Sequence, residues 1–258
     1  MCTNFNANLD TLWSRRHFGL EMPVGLPPEA YPGFLAPLLR IQNADLNSSL
    51  ILNSARFGLV PRWTQRQETE RISRFTYNAR SESASTKPSY RAPYRQRQWG
   101  IALVKDFFEP SYESGRAQRM RISLLQDEPF GIACLWDEWR PHEMQIKTVD
   151  ESMPKFQQAK EEGVILSFSM LTLNADRHPV MSRMHAPTDE KRTPLVLSVD
   201  QFKPWLNASS KEAKEWLSGV HMPELKAELA PRSKPTQKQK TTESTTTVGH
   251  SISQGQLF

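Results

Sequence analysis

Cysteine is nearly absent from this chain: 258 residues contain two, Cys2 and Cys134. Two thiols cannot build a disulfide framework, and a reducing cytoplasm is the expected compartment. Long apolar runs are missing as well. Met1 to Arg16 carries Asn, Asp and Arg without an apolar core, which argues against a secretory leader, and no stretch reaches the length of a membrane span. Histidines and cysteines lack metal-ligand spacing, and no glycine-rich phosphate loop occurs, so neither a metal nor a nucleotide cofactor is expected.

What is present is ordinary globular material with one charged block. Hydrophobic residues make up 38% and charged residues 24%, enough for a packed core. The formal net charge is only +5, but between Arg56 and Arg97 ten basic residues face three acidic ones. That block carries a net +7, which leaves −2 for the rest of the chain. It is interleaved with Phe57, Trp63, Phe75, Tyr77, Tyr90 and Tyr94. Cations that track phosphates and aromatics that stack on bases are the means by which single strands are held without sequence preference.

Short β-branched and aromatic runs at Ile101 to Phe108, Arg119 to Leu125, Ile132 to Trp136 and Val164 to Leu173 read as strands. Cys134 lies in one of them and is expected to be a small buried hydrophobe. Glu29 to Ile41, broken by two prolines, reads as an irregular segment with at most a short helix. Ser209 to Leu217 is a helix with Ser209 as cap, Glu212 completing a capping box and Gly219 as terminator. The pattern predicts an α+β fold with a mainly antiparallel sheet over residues 1–228. From about Leu229 the composition turns to Lys, Gln, Thr and Ser, which predicts a disordered tail.

Cys2 follows a removable Met1. Once exposed, its α-amine and thiol sit on adjacent carbons, and both are partly nucleophilic near neutral pH. An aldehyde suits that pair: the amine forms a Schiff base and the thiol closes a thiazolidine. A cysteine at position two is weak on its own, but it begins an ordered series of motifs. These are Met1-Cys-Thr-Asn-Phe5, Phe57-Gly-Leu-Val-Pro-Arg-Trp63, Tyr77-Asn-Ala-Arg-Ser-Glu-Ser83, Asp106-Phe-Phe-Glu-Pro110, Tyr112-Glu-Ser-Gly115, Gly131-Ile-Ala-Cys-Leu-Trp136 and Met184-His-Ala-Pro-Thr-Asp-Glu-Lys-Arg192. In this order they resemble the SOS-response-associated peptidases, also described as abasic-site processing proteins, over roughly Met1 to Leu206.

The resemblance implies a partly barrel-like sheet with short flanking helices. It also implies that the chain binds single-stranded DNA as a monomer and crosslinks Cys2 to abasic sites, shielding them. Cys2 is then the nucleophile, Asn78 a hydrogen-bond partner near the Cys2 amine, Glu109 the general acid/base and His185 a second proton carrier. Arg80 is implied as a phosphate contact and Trp63 as a base or sugar contact, with Arg62 beside them. The chain departs from the family's usual Met-Cys-Gly-Arg opening. Asn4 replaces the arginine and can offer DNA only a neutral hydrogen bond. The segment between His185 and Arg192 is also longer than the usual His-x-Arg-x-Pro. Two other readings stay open: a thiol peptidase using Cys2, and a non-catalytic single-strand binder. Within the tail, Gln254-Gly-Gln-Leu-Phe258 is similar to a sliding-clamp docking peptide, anchored by Gln254, Leu257 and Phe258.

Overall fold

The computed structural model describes residues 2–42, 49–141, 163–219 and 222–232. The clamp-like peptide at Gln254, Leu257 and Phe258 lies outside them. In chain order, β1 (Phe5–Ala7), helix α1 (Thr11–Phe18), β2 (Glu29–Ala30), β3 (Leu35–Gln42) and β4 (Ser49–Phe57) lead into α2 (Thr69–Ser73), β5 (Asn78–Arg80), α3 (Ser81–Ala84) and α4 (Arg91–Arg95). Then come β6 (Trp99–Ser111), β7 (Gln118–Leu124), β8 (Phe130–Trp139), β9 (Ile165–Asn174), β10 (Arg192–Pro194), β11 (Val196–Leu197), α5 (Phe202–Leu206), α6 (Ser210–Trp216) and β12 (Leu225–Leu229).

The sheet curls until it meets itself. β3 pairs β4 and β6, β6 pairs β8, β8 pairs β9, and β9 returns to β4, a ring of five strands. Most pairings are antiparallel, as predicted; β9 is parallel to β4 and to β5. Alternation along each strand then sorts side chains by face. Ala102 and Val104 of β6, Ile132 and Cys134 of β8, and Phe168 and Met170 of β9 point inward with Cys2 and Phe57. Their neighbours Ile101, Leu103, Ala133 and Leu135 point outward and are covered by Phe202 and Trp205 of α5 and Tyr94 of α4. With both faces covered, β6 is apolar from Trp99 to Val104 and stays almost wholly buried beyond it, with Lys105 exposed and Asp106 and Glu109 buried.

The helix predicted after Ser209 forms as α6, with both capping-box hydrogen bonds present. The strand predictions hold as β6 to β9: β6 and β8 extend beyond their apolar runs, and β7 and β9 are offset from theirs by one residue. Glu29 to Ile41 is a correction: it forms β2 and β3, not an irregular segment. The prolines mislead because β6 pairs β3 only from Leu38 to Arg40, so Pro37 has no β6 partner on that side. A missing N–H is tolerated where a ladder is absent. At the far end, β12 keeps pairing with β7 through Leu229.

Gly58 explains one motif. Its φ is +113°, and an added Cβ would stand 2.0 Å from the Ser73 carbonyl oxygen. Only glycine lets β4 turn there while the Gly58 amide donates to Phe168 O at 2.8 Å.

Candidate active site and nucleic-acid interface

Four distant segments bring Cys2, Asn78, Glu109 and His185 to one end of the barrel. Cys2 precedes β1 and is fully buried, its thiol donating to Asn4 O at 3.6 Å. Burial pushes that thiol well up. Asn78 opens β5, fixed by its parallel register against Met170 of β9. Its amide Nδ2 donates to the Cys2 carbonyl at 2.9 Å. Its Oδ1 is buried and has no hydrogen-bond partner among the described residues. An acceptor aimed into a site beside Cys2 suits a substrate hydroxyl or an amine.

Glu109 sits on β6 opposite Met120 of β7 and is 2% exposed. Its Oε2 lies 3.2 Å from His185 Nε2. At that spacing a surface pair would be ionic, but burial works against charge on both partners. It raises the Glu109 carboxyl to about 7 and lowers the His185 imidazole to about 4. Between those values a neutral acid faces a neutral base, so the contact is a hydrogen bond through which a proton can pass. The His185 backbone is tied in place as well. Its N–H donates to Pro110 O at 2.6 Å, and Ser111 bridges to Met184 and His185.

Sequence reasoning missed the supports of this cluster. Tyr90 donates through its hydroxyl to Asn78 O at 3.2 Å, and burial pushes its phenol up to about 12. Arg192, 2% exposed, donates to both Glu82 oxygens at 2.7 and 2.9 Å and to Thr172 O at 2.6 Å. It thereby clamps α3, which follows Asn78, to β9. The only hint was an acidic residue inside the Asn-Ala-Arg-Ser-Glu motif and an arginine closing the long loop.

The residues expected to meet DNA fall into three situations. Asn4 is 5% exposed and its amide donates to Glu29, so its side chain is engaged inside the fold. Arg62 is held by Asp137, with Nε donating at 2.7 Å, and by Gln98. Since Asp137 is buried, Arg62 is the counter-charge that makes its burial tolerable. Arg80 stays half-exposed and pairs with Glu190 at 2.7 Å. Of the six interleaved aromatics, Phe57 and Tyr94 are core, Tyr77 and Tyr90 are partly buried, and Trp63 and Phe75 are 61% and 74% exposed. Trp63, Ile72 and Phe75 line an open groove of about 470 Å3 with Arg71 at its edge.

A family profile described as SOS response associated peptidase (SRAP) matches residues 1–234. Among curated proteins, abasic site processing protein YoaM of Bacillus subtilis (strain 168) is 25% identical over 187 residues, 72% of this chain and 68% of the relative. Abasic site processing protein HMCES of Pongo abelii is 22% identical over 210 residues, 76% of this chain but 56% of the relative. The chain thus spans little more than half of that vertebrate relative. A crystal structure of a protein from Bordetella bronchiseptica superposes with TM-score 0.72 at 24% identity, covering 90% of this chain and 100% of the other. One from Bacteroides thetaiotaomicron gives 0.65 at 17% identity, covering 89% and 92%. Both likenesses concern the fold. Among the described residues no helix is long and apolar enough to cross a membrane.

Proposed function

Because the chain belongs to the SOS response associated peptidase family, we propose that it captures ring-opened abasic sites in single-stranded DNA through the amine and thiol of Cys2, after Met1 is removed. The observation that carries this reading is the buried Glu109–His185 contact beside a Cys2 whose carbonyl is held by Asn78. The curated relatives are named for abasic-site processing, which agrees with it.

The chemistry balances without a cofactor. The Cys2 amine attacks C1′ of the open sugar, and the aldehyde oxygen takes up a proton to give a carbinolamine. That hydroxyl leaves as water, which requires an acid close by. The thiol sulfur then adds to C1′ of the imine, its proton passing to nitrogen, and the thiazolidine ring closes. A carboxyl near 7 serves both directions at neutral pH, giving a proton to the departing oxygen and accepting one from the attacking amine. A neutral imidazole 3.2 Å away extends the relay. Asn78 Oδ1 is an acceptor ready for the amine or for a sugar hydroxyl.

Burial of the thiol bears on the competing peptidase reading. A cysteine peptidase works through a thiolate paired with imidazole. Here burial holds the thiol in its protonated form, and His185 faces Glu109. An amine that attacks first and a neutral thiol that closes the ring fit this environment better. The deciding experiment incubates the chain with an oligonucleotide containing one abasic site, then denatures and resolves the products. An adduct on the abasic strand supports the reading. Equal adduct on undamaged DNA, or none, sinks it.

Strand binding is assigned to Arg80 and to the Trp63–Phe75 groove, a cation beside stacking surfaces. Glu190 accepts from Arg80 at 2.7 Å and from Arg192 at 3.0 Å, so a phosphate must compete with an internal carboxylate. Arg80→Ala is expected to weaken binding and to flatten the salt slope by roughly 0.7 for the lost phosphate. Glu190→Gln is expected to tighten binding and steepen the slope. Affinities measured across a salt titration check both, and identical slopes for all three chains would remove Arg80 from the interface.

The tail peptide Gln254-Gly-Gln-Leu-Phe258 is read as a recruitment motif for a bacterial sliding clamp. Deleting it is expected to abolish clamp binding in a titration and to leave adduct formation unchanged. Retained clamp affinity refutes the assignment.

A further inference from the structure

The loop carrying His185 is gripped by one cation. Lys191 Nζ donates to three successive carbonyl oxygens, those of Met184 at 2.7 Å, His185 at 3.2 Å and Ala186 at 2.7 Å. An ammonium has three donors, and all three are used. Three neighbouring carbonyls converge on one point only if the backbone turns between them. His185, the middle residue, has φ +63°, a left-handed conformation that residues other than glycine adopt chiefly under restraint.

Lys191 is itself well placed to impose that turn. Its carbonyl accepts from Ala175 N at 2.8 Å, and the next residue, Arg192, begins β10 against Asn174. The loop between is closed locally, since Asp189 N donates to Ala186 O at 2.9 Å and Asp189 Oδ2 accepts from Ala186 N at 3.3 Å. Force therefore runs from the barrel wall through Lys191 to the histidine backbone. On the opposite side the His185 N–H is bound to Pro110 O, next to Glu109.

We propose that Lys191 is a positioning residue for His185, gripping the carbonyls of residues 184–186 so that His185 keeps the left-handed conformation that aims its imidazole at Glu109. The inference rests on the abasic-capture reading for its role in catalysis, but the grip itself can be tested without DNA. Removing the ammonium has a second effect. The charged groups facing His185 are Glu109 from β6, Lys191 and Asp189 from its own loop, and the chain's amino terminus. Lys191 and the amino terminus oppose a charged imidazole, and Asp189 favours one. Loss of Lys191 thus lets the imidazole protonate at higher pH, where it can no longer accept a proton.

The test compares the full chain with Lys191→Met and Lys191→Arg. Nuclear magnetic resonance titration of the His185 ring in free protein is expected to show a higher pKa in Lys191→Met and a value near the parent in Lys191→Arg. With an abasic oligonucleotide, single-turnover adduct formation at neutral pH is expected to slow about tenfold in Lys191→Met. The acid limb of its pH profile moves upward, and Lys191→Arg recovers most of the rate. An unchanged imidazole titration and unchanged rate in Lys191→Met overturn the proposal. So does an equal loss in both variants, which marks Lys191 as packing alone. If the parent chain forms no adduct, the proposed function falls, and the ring titration still decides whether Lys191 governs His185.

Discussion

Cys2→Ala is expected to abolish the adduct that survives denaturation while leaving a fainter, reversible one behind. Alanine is also small enough for Met1 to be removed, so the variant keeps a free α-amine in the same place. That amine can still condense with the aldehyde at C1′ and release water. What it lacks is the sulfur that closes the five-membered ring and protects the imine from hydrolysis. Borohydride added during the reaction is expected to trap the imine of Cys2→Ala as a stable secondary amine, whereas without reductant the gel shows free strand. The side chain is fully buried among Phe5, Phe57 and Met170, so truncation leaves a small cavity. Losing one sulfur is expected to cost about 1 kcal/mol, well short of unfolding a domain of this size. A denaturation-resistant adduct in Cys2→Ala without reductant would falsify the thiazolidine. Failure to trap an imine with reductant in either chain removes the amine from the mechanism.

This experiment also separates the two nucleophiles in time. The thiol is raised well above its ordinary value by burial, so the rate of capture is not expected to follow thiolate concentration. A rate that climbs with pH in step with thiol ionisation contradicts amine-first attack. A cysteine two residues into a sequence invites the opposite assumption, that an exposed and reactive thiol leads. Local sequence carries no sign that Cys2 will be enclosed by β4, β8 and β9, because, Phe5 apart, the core residues of those strands from Phe57 to Met170 lie 55 to 168 positions away.

The same limit sets how much of the molecule was legible in advance. The strands within β6 to β9 were readable because their apolar runs are dictated by burial on both faces, a local property. The ring was not readable, since it is closed by the parallel register of β9 with β4, which joins segments 111 residues apart. Pro37 hid β3, because tolerance of a proline depends on where the neighbouring strand stops. Asn78, Glu109 and His185 came from motif order, and the structure brings them together. Their protonation came from nowhere in the sequence. Asn4 was expected at DNA because it stands where the family carries an arginine; that its amide turns onto Glu29, 25 residues on, has no local sign. Glu82 and Arg192 lie 110 residues apart, and nothing local pairs them.

Glu109→Gln is expected to slow capture and its reversal by about 100-fold, the usual scale of general acid–base catalysis, and at the same time to stabilise the protein at alkaline pH. Burial lifts the Glu109 carboxyl from 4.5 to about 7. Between those two values the folded chain keeps a proton that the unfolded chain has released. Stability from this group is therefore fully present below about 4.5 and is lost as pH rises through about 7. Above that, holding an ionised carboxylate inside the barrel costs on the order of 3 kcal/mol. Glutamine has nearly the same shape and no proton to lose, so it avoids the penalty at high pH and resembles the protonated acid at low pH. At pH 8.5 the variant is expected to melt roughly 6–10 °C above the parent, whereas at pH 4.5 the two melt together. A carboxylate kept for an ion pair with His185 predicts no gain at pH 8.5, because losing that pair lowers the melting point only below the imidazole pKa, where both partners are charged. Melting curves at the two pH values, taken beside single-turnover capture rates, tell these apart. A variant that is slower yet more stable at pH 8.5 identifies a group whose burial is maintained for proton transfer. A variant less stable at pH 8.5, or one that captures abasic DNA at the parent rate, removes Glu109 from the role assigned to it.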